Sequence, residues 1–64
     1  MRVLDYDGLR EKGIPYSRVH LWRLIKKGQF PTPIKLGEGR NAFVESEIDK
    51  WLASKIAERD AEAA

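Results

Sequence analysis

Apolar positions fall in short runs whose spacing changes along the chain, and each change marks an element. Val3 and Leu4 form an extended lead-in, after which Asp5 stands where it can cap a first helix reaching through Leu9 to Lys12. Asp7 lies near the positive end of that helix and Gly13 stops it. Two turns are too few for stability in isolation, so Tyr6 and Leu9 must dock on something larger. Ile14, Pro15 and Tyr16 read as a tight connector, because Pro15 has no N–H to donate and holds Ile14 out of helical geometry.

Ser17 is the next candidate cap, and the spacing predicts a helix over 18–27 with Leu21, Leu24 and Ile25 on one stripe and Gly28 at its end. With Leu21 set at zero on a helical wheel, Val19, Arg23 and Lys26 fall between about 140° and 200°, opposite the apolar stripe. Phe30-Pro31-Thr32-Pro33 cannot continue a helix and takes an extended path. A hairpin is expected next: Ile34 and Leu36 alternate with an outward Lys35, the turn runs from Gly37 to Asn41 with Arg40 at the tip, and Ala42-Phe43-Val44 returns. The last helix opens at Glu45-Ser46, where Ser46 and Asp49 approximate a capping box. Ile48, Trp51, Leu52 and Ile56 recur at helical spacing as the stripe that closes the core, with Phe43 also inside. Residues 59–64 offer no apolar anchor beyond alanine and are expected to fray. No repeat or linker interrupts the chain, so 1–64 reads as one domain.

With 64 residues, only about 60% of the unfolded surface can be buried, and a deep catalytic cavity would consume the core. No cysteine is present and there is a single histidine, so neither a disulfide framework nor a zinc ligand set is available, and no cofactor is expected. No window approaches the roughly 18 consecutive apolar residues of a membrane span, and acid at Asp5 interrupts any apolar leader, so the cytoplasm is the expected location and no membrane partner is expected. The net charge of +2 hides a division. Residues 10–40 hold eight cationic side chains against two acids, a net +6, whereas residues 41–64 sum to −3. A basic middle of that strength suits a polyanion.

Two short helices joined by a tight turn, the second basic on its outer face, then a hairpin with a basic tip, predict an α+β fold: a small winged helix-turn-helix of three helices with a two-stranded β-hairpin wing. A ten-residue helix is about 15 Å long and fits a major groove about 12 Å wide, while the hairpin reaches neighbouring phosphates or the minor groove.

The segments Tyr16-Ser17-Arg18, Leu21 to Pro31, Pro33-Ile34-Lys35-Leu36-Gly37 and Val44-Glu45-Ser46-Glu47-Ile48 with Trp51 resemble the AlpA-like prophage regulators and excisionases, a winged helix-turn-helix family of the MerR-like superfamily. The likeness runs from Leu4 to about Ile56 and departs from the family pattern at Pro15-Tyr16, His20 and Trp22. It implies double-stranded DNA binding without catalysis. The family's roles are to regulate prophage genes or to bend attachment-site DNA for a tyrosine integrase, which makes such an integrase a candidate partner.

Arg18, Val19 and His20 open the second helix, where recognition helices touch base edges, and Arg18 can pair bidentately with guanine. Arg23, Lys26 and Lys27 suit phosphate or mixed contacts, although Lys27 equally complements the helix dipole. Trp22 either packs or lays its ring on the sugar-phosphate backbone; Tyr16 either packs in the turn or bonds a phosphate; Ser17 caps beside them. Lys35 and Arg40 either protect a strand edge or contact DNA, Arg40 suiting a narrow minor groove. Gly37-x-Gly39 is a turn and not a nucleotide fingerprint, and Glu45, Glu47 and Asp49 point apart on a helix, so they share no chemistry. One such module reads few base pairs, so several copies on repeated sites are expected, with the acidic last helix as the candidate contact between them. The competing class is a protein-interaction adaptor or antirepressor docking an acidic partner. RNA binding is disfavoured for want of paired sheet aromatics, and an enzyme for want of any nucleophile-base pair.

Overall fold

The computed structural model describes residues 1–63. Its elements run β1 (Val3–Leu4), α1 (Tyr6–Glu11), α2 (Arg18–Lys26), β2 (Ile34–Gly37), β3 (Arg40–Val44) and α3 (Glu45–Ala63).

Both short helices are bounded by local chemistry. Asp5 Oδ1 accepts from Gly8 N at 2.8 Å to start α1, and Ser17 Oγ accepts from His20 N at 3.2 Å to start α2. Each ends in the same paired hydrogen bonds: Gly13 N to Arg10 O and Ile14 N to Leu9 O close α1, Gly28 N to Ile25 O and Gln29 N to Leu24 O close α2. This six-to-one and five-to-two pattern places a left-handed residue just past the helix, where Gly13 (φ 93°) and Gly28 (φ 72°) serve without steric cost. After α1 the motif also turns Ile14 into the core, where it is 3% exposed.

The sheet is antiparallel in the order β1-β3-β2. The expected hairpin is therefore joined by a third, short strand, with Val3 opposite Val44 and Leu4 opposite Phe43. β2 and β3 join through Glu38 and Gly39, with Gly37 paired to Arg40. Arg40 is thus the first residue of β3 and not the tip. A register irregularity between Lys35 and Gly37 leaves Leu36 60% exposed, and Ile34 is 41% exposed, so neither lies inside as strict alternation would place it.

Leu4, Leu9, Ile14, Leu21, Phe30, Phe43 and Ile48 form the buried core, with Leu24, Ile25, Trp51 and Leu52 packed against it. A row of rings crosses it edge to face: Tyr6 to Phe43 at 6.0 Å, Phe43 to Phe30 at 5.6 Å and Phe30 to Trp51 at 4.8 Å between centroids. Trp51 Nε1 donates to Gln29 O at 2.7 Å, which ties α3 to the exit of α2.

Three expectations for α3 are corrected. The helix starts at Glu45 straight from β3, with Glu45 N donating to Arg2 O at 2.9 Å, so Ser46 lies inside the first turn and caps nothing. Asp49 instead accepts from Lys12 Nζ at 3.0 Å, and Glu45 lies 3.3 Å from the same ammonium. That hydrogen bond to Asp49, aided by Glu45, raises the Lys12 pKa above its ordinary 10.5. Ile56 is 52% exposed, so the apolar stripe ends at Leu52 although helical spacing continues. The helix itself runs on to Ala63; of the segment expected to fray, Ala64 lies outside the described residues. The result is an α+β arrangement of three helices and an antiparallel sheet, the one expected of a winged helix-turn-helix.

Candidate nucleic-acid interface

α2 buries Leu21 and turns the opposite face outward. Arg18, Val19, Trp22, Arg23 and Lys26 line one shallow hollow along that face. Trp22 also lines a second hollow with Lys35, Leu36 and the turn of the hairpin. Arg18 also lines a third, between α1 and the sheet, together with Leu36, Arg40 and Asn41. The three hollows adjoin through Arg18, Trp22 and Leu36. Arg18, Arg23, Lys26, Lys35 and Arg40 therefore border one continuous surface reaching from α2 to the wing. Asp5, Asp7 and Glu11 also line the third hollow and Glu38 the second, so acids share the surface at those places.

The remaining candidates sit on its flanks. Tyr16 and His20 pack on one another with ring centroids 4.5 Å apart, and helical spacing puts His20 about 60° from the near edge of the outward face. Lys27 is the C-cap of α2, beyond the hollows. Ser17 is committed to capping.

Charge pairing divides the molecule. Among the described residues, the ion pairs use Arg2, Lys12, Lys55 and Arg59 as cations, and none involves Arg18, Arg23, Lys26, Lys27, Lys35 or Arg40. The Arg18 guanidinium lies 4.5 Å above the ring of Tyr6, which orients the side chain while leaving its in-plane N–H groups free. Trp22, 38% exposed, stands between α2 and the hairpin.

Sequence reasoning missed Tyr6 as the support for Arg18, and missed Leu36 and Asn41 as joint borders of two hollows. The wheel position of Arg18, about 60° from Leu21 and so beside the apolar stripe, was the available signal for the first. The bulge that exposes Leu36 left none. The acidic end of α3, expected to meet a neighbouring copy, is largely matched within itself: Lys55 lies 3.4 Å from Glu58 and Arg59 lies 2.9 Å from Asp60. Among the described residues no group of histidine, cysteine or acidic side chains is placed to hold a metal, and no helix is long and apolar enough to cross a membrane.

The sequence of residues 10–56 matches the family model described as "Prophage CP4-57 regulatory protein (AlpA)". The chain is also 42% identical over 43 residues to "Uncharacterized protein ORF88" of Enterobacteria phage P4, an overlap covering 67% of this chain and 49% of that protein. The match thus spans about half the length of the curated relative. No solved structure matches significantly. With the family match covering most of the chain, from the end of α1 through α2 and the hairpin into the last helix, the chain belongs to the AlpA family of prophage regulatory proteins.

Proposed function

We propose that the chain binds double-stranded DNA sequence-specifically as a mobile-element regulator or excisionase, with α2 in the major groove and the wing on flanking backbone or minor groove. The carrying observation is the set of cations without acidic partners along α2 and the hairpin, gathered around one surface. The nine residues of α2 span about 14 Å, a length the major groove accepts. Arg23 and Lys26 meet phosphates or base edges, Arg18 is held by Tyr6 for a planar contact with guanine, and Lys35 and Arg40 clamp the flanking strand. Lys27, Tyr16 and His20 serve the backbone at the flank. The chain acts as one winged unit in the cytoplasm, at the nucleoid when bound.

A module of this size buries roughly 600–1,000 Å² of protein surface on DNA, too little to select one genomic site. Several copies on closely spaced sites, with or without a tyrosine integrase beside them, supply the remainder. Footprinting over the promoter and attachment region of the source element is the test. One protected stretch at a promoter identifies a regulator, and repeated protection with bending beside a recombination site identifies an excisionase. Absence of protection at low salt, with co-purification of an acidic protein, overturns the DNA reading in favour of an adaptor.

A further inference from the structure

The outward face of α2 has an unusual chemical inventory. Its sequence, Arg-Val-His-Leu-Trp-Arg-Leu-Ile-Lys, contains no aspartate, glutamate, asparagine or glutamine. The face therefore offers cationic donors and apolar surface. The imidazole of His20 lies on the flank, packed against Tyr16. Adenine N6 and cytosine N4 are donors in the major groove and find no acceptor here. Guanine O6 and N7 match the arginines, and the only apolar base feature in that groove is the C5-methyl of thymine.

Val19 occupies the position such a methyl needs. It lies in the first turn of α2, the part of a recognition helix that approaches base edges, and it is 62% exposed. It borders the same hollow as Arg18, Trp22, Arg23 and Lys26, an apolar centre ringed by cations. Stability does not account for it, since a β-branched side chain in a helix loses rotamer freedom and Val19 buries little in return.

We propose that Val19 is a specificity-determining residue that reads the C5-methyl of thymine in the major groove, beside a guanine held by an arginine of the same face. This rests on the DNA reading above and sharpens it to a guanine-and-thymine code.

The test uses a duplex selected by the full chain from a randomised pool, made once with thymine and once with uracil throughout, which removes only the methyl groups. The wild-type chain should bind the uracil duplex about fourfold more weakly, the loss of the one methyl that Val19 covers. V19S, altered at an exposed site, should keep the fold and bind both duplexes alike, at the weaker affinity. Equal wild-type affinity for the two duplexes overturns the proposal, as does V19S retaining the preference for thymine. Failure to select any duplex sinks the DNA reading itself, and the proposal with it.

Discussion

The basic surface of α2 and the wing and the long helix α3 both carry dense charge, yet they use it in opposite ways. On α3, Glu45 and Asp49 receive Lys12, Lys55 meets Glu58, and Arg59 meets Asp60. Among the described residues, six cations on α2 and the hairpin have no acidic partner. The aromatic row through the core shows the contrast at its two ends. Lys55 lies 5.5 Å over Trp51 and also reaches an acid, whereas Arg18 lies 4.5 Å over Tyr6 and reaches none. Gathering like charges without counterions disfavours a small fold, so a cluster left uncompensated points to a molecule outside the chain.

The two regions should respond differently to substitution. The largest effect is expected at Ile48, fully buried where α3 meets the core: Ile48→Ala should cost about 2–5 kcal/mol, enough to unfold most of a domain this small, as read by loss of the cooperative thermal transition in circular dichroism. Ser17→Ala removes the cap of α2 and should cost about 1 kcal/mol by urea denaturation while leaving α3 helical.

A smaller effect concerns Lys12, which ties α1 to α3. Its pKa is raised in the folded state by the hydrogen bond to Asp49 and by Glu45, so its contribution is complete below the ordinary value of 10.5 and is lost as pH rises through the higher folded value. Lys12→Met should therefore melt below the wild type by a constant margin through neutral pH, and on the alkaline side that margin should close above about pH 10.5. A gap that closes on acidification near neutrality would contradict this pairing. The smallest effect is expected for Arg23→Ala with Lys26→Ala, which breaks no ion pair: unfolding free energy should stay within about 0.5 kcal/mol of wild type.

Features set by near neighbours in the chain were legible. Asp5 and Ser17 cap through bonds three residues long, Gly13 and Gly28 end helices through backbone bonds within one turn, and Leu21 sets the buried side of α2. What escaped depends on distant partners. Ser46 resembles a cap, but β3 runs directly into α3 and the N–H of Glu45 is taken by Arg2 O. Ile56 keeps the helical period beyond the point where an opposing surface exists. Val3 and Leu4 became a strand only by pairing with Val44 and Phe43. For the site, the residue types and their order were readable, while the joining of α2 to the wing through Trp22 and Leu36 required the bulge in β2.

The most direct measurement is the salt dependence of duplex binding by fluorescence anisotropy. With four to six phosphates met by the cations of α2 and the wing, the logarithm of affinity should fall against the logarithm of salt concentration with a slope of about −4 to −5. Arg23→Ala should flatten that slope by about one, and the double variant Lys55→Ala, Arg59→Ala should leave it unchanged. A flat salt response, no binding at low salt, or equal sensitivity to the α3 pair would contradict the assignment of the unpaired cations to DNA.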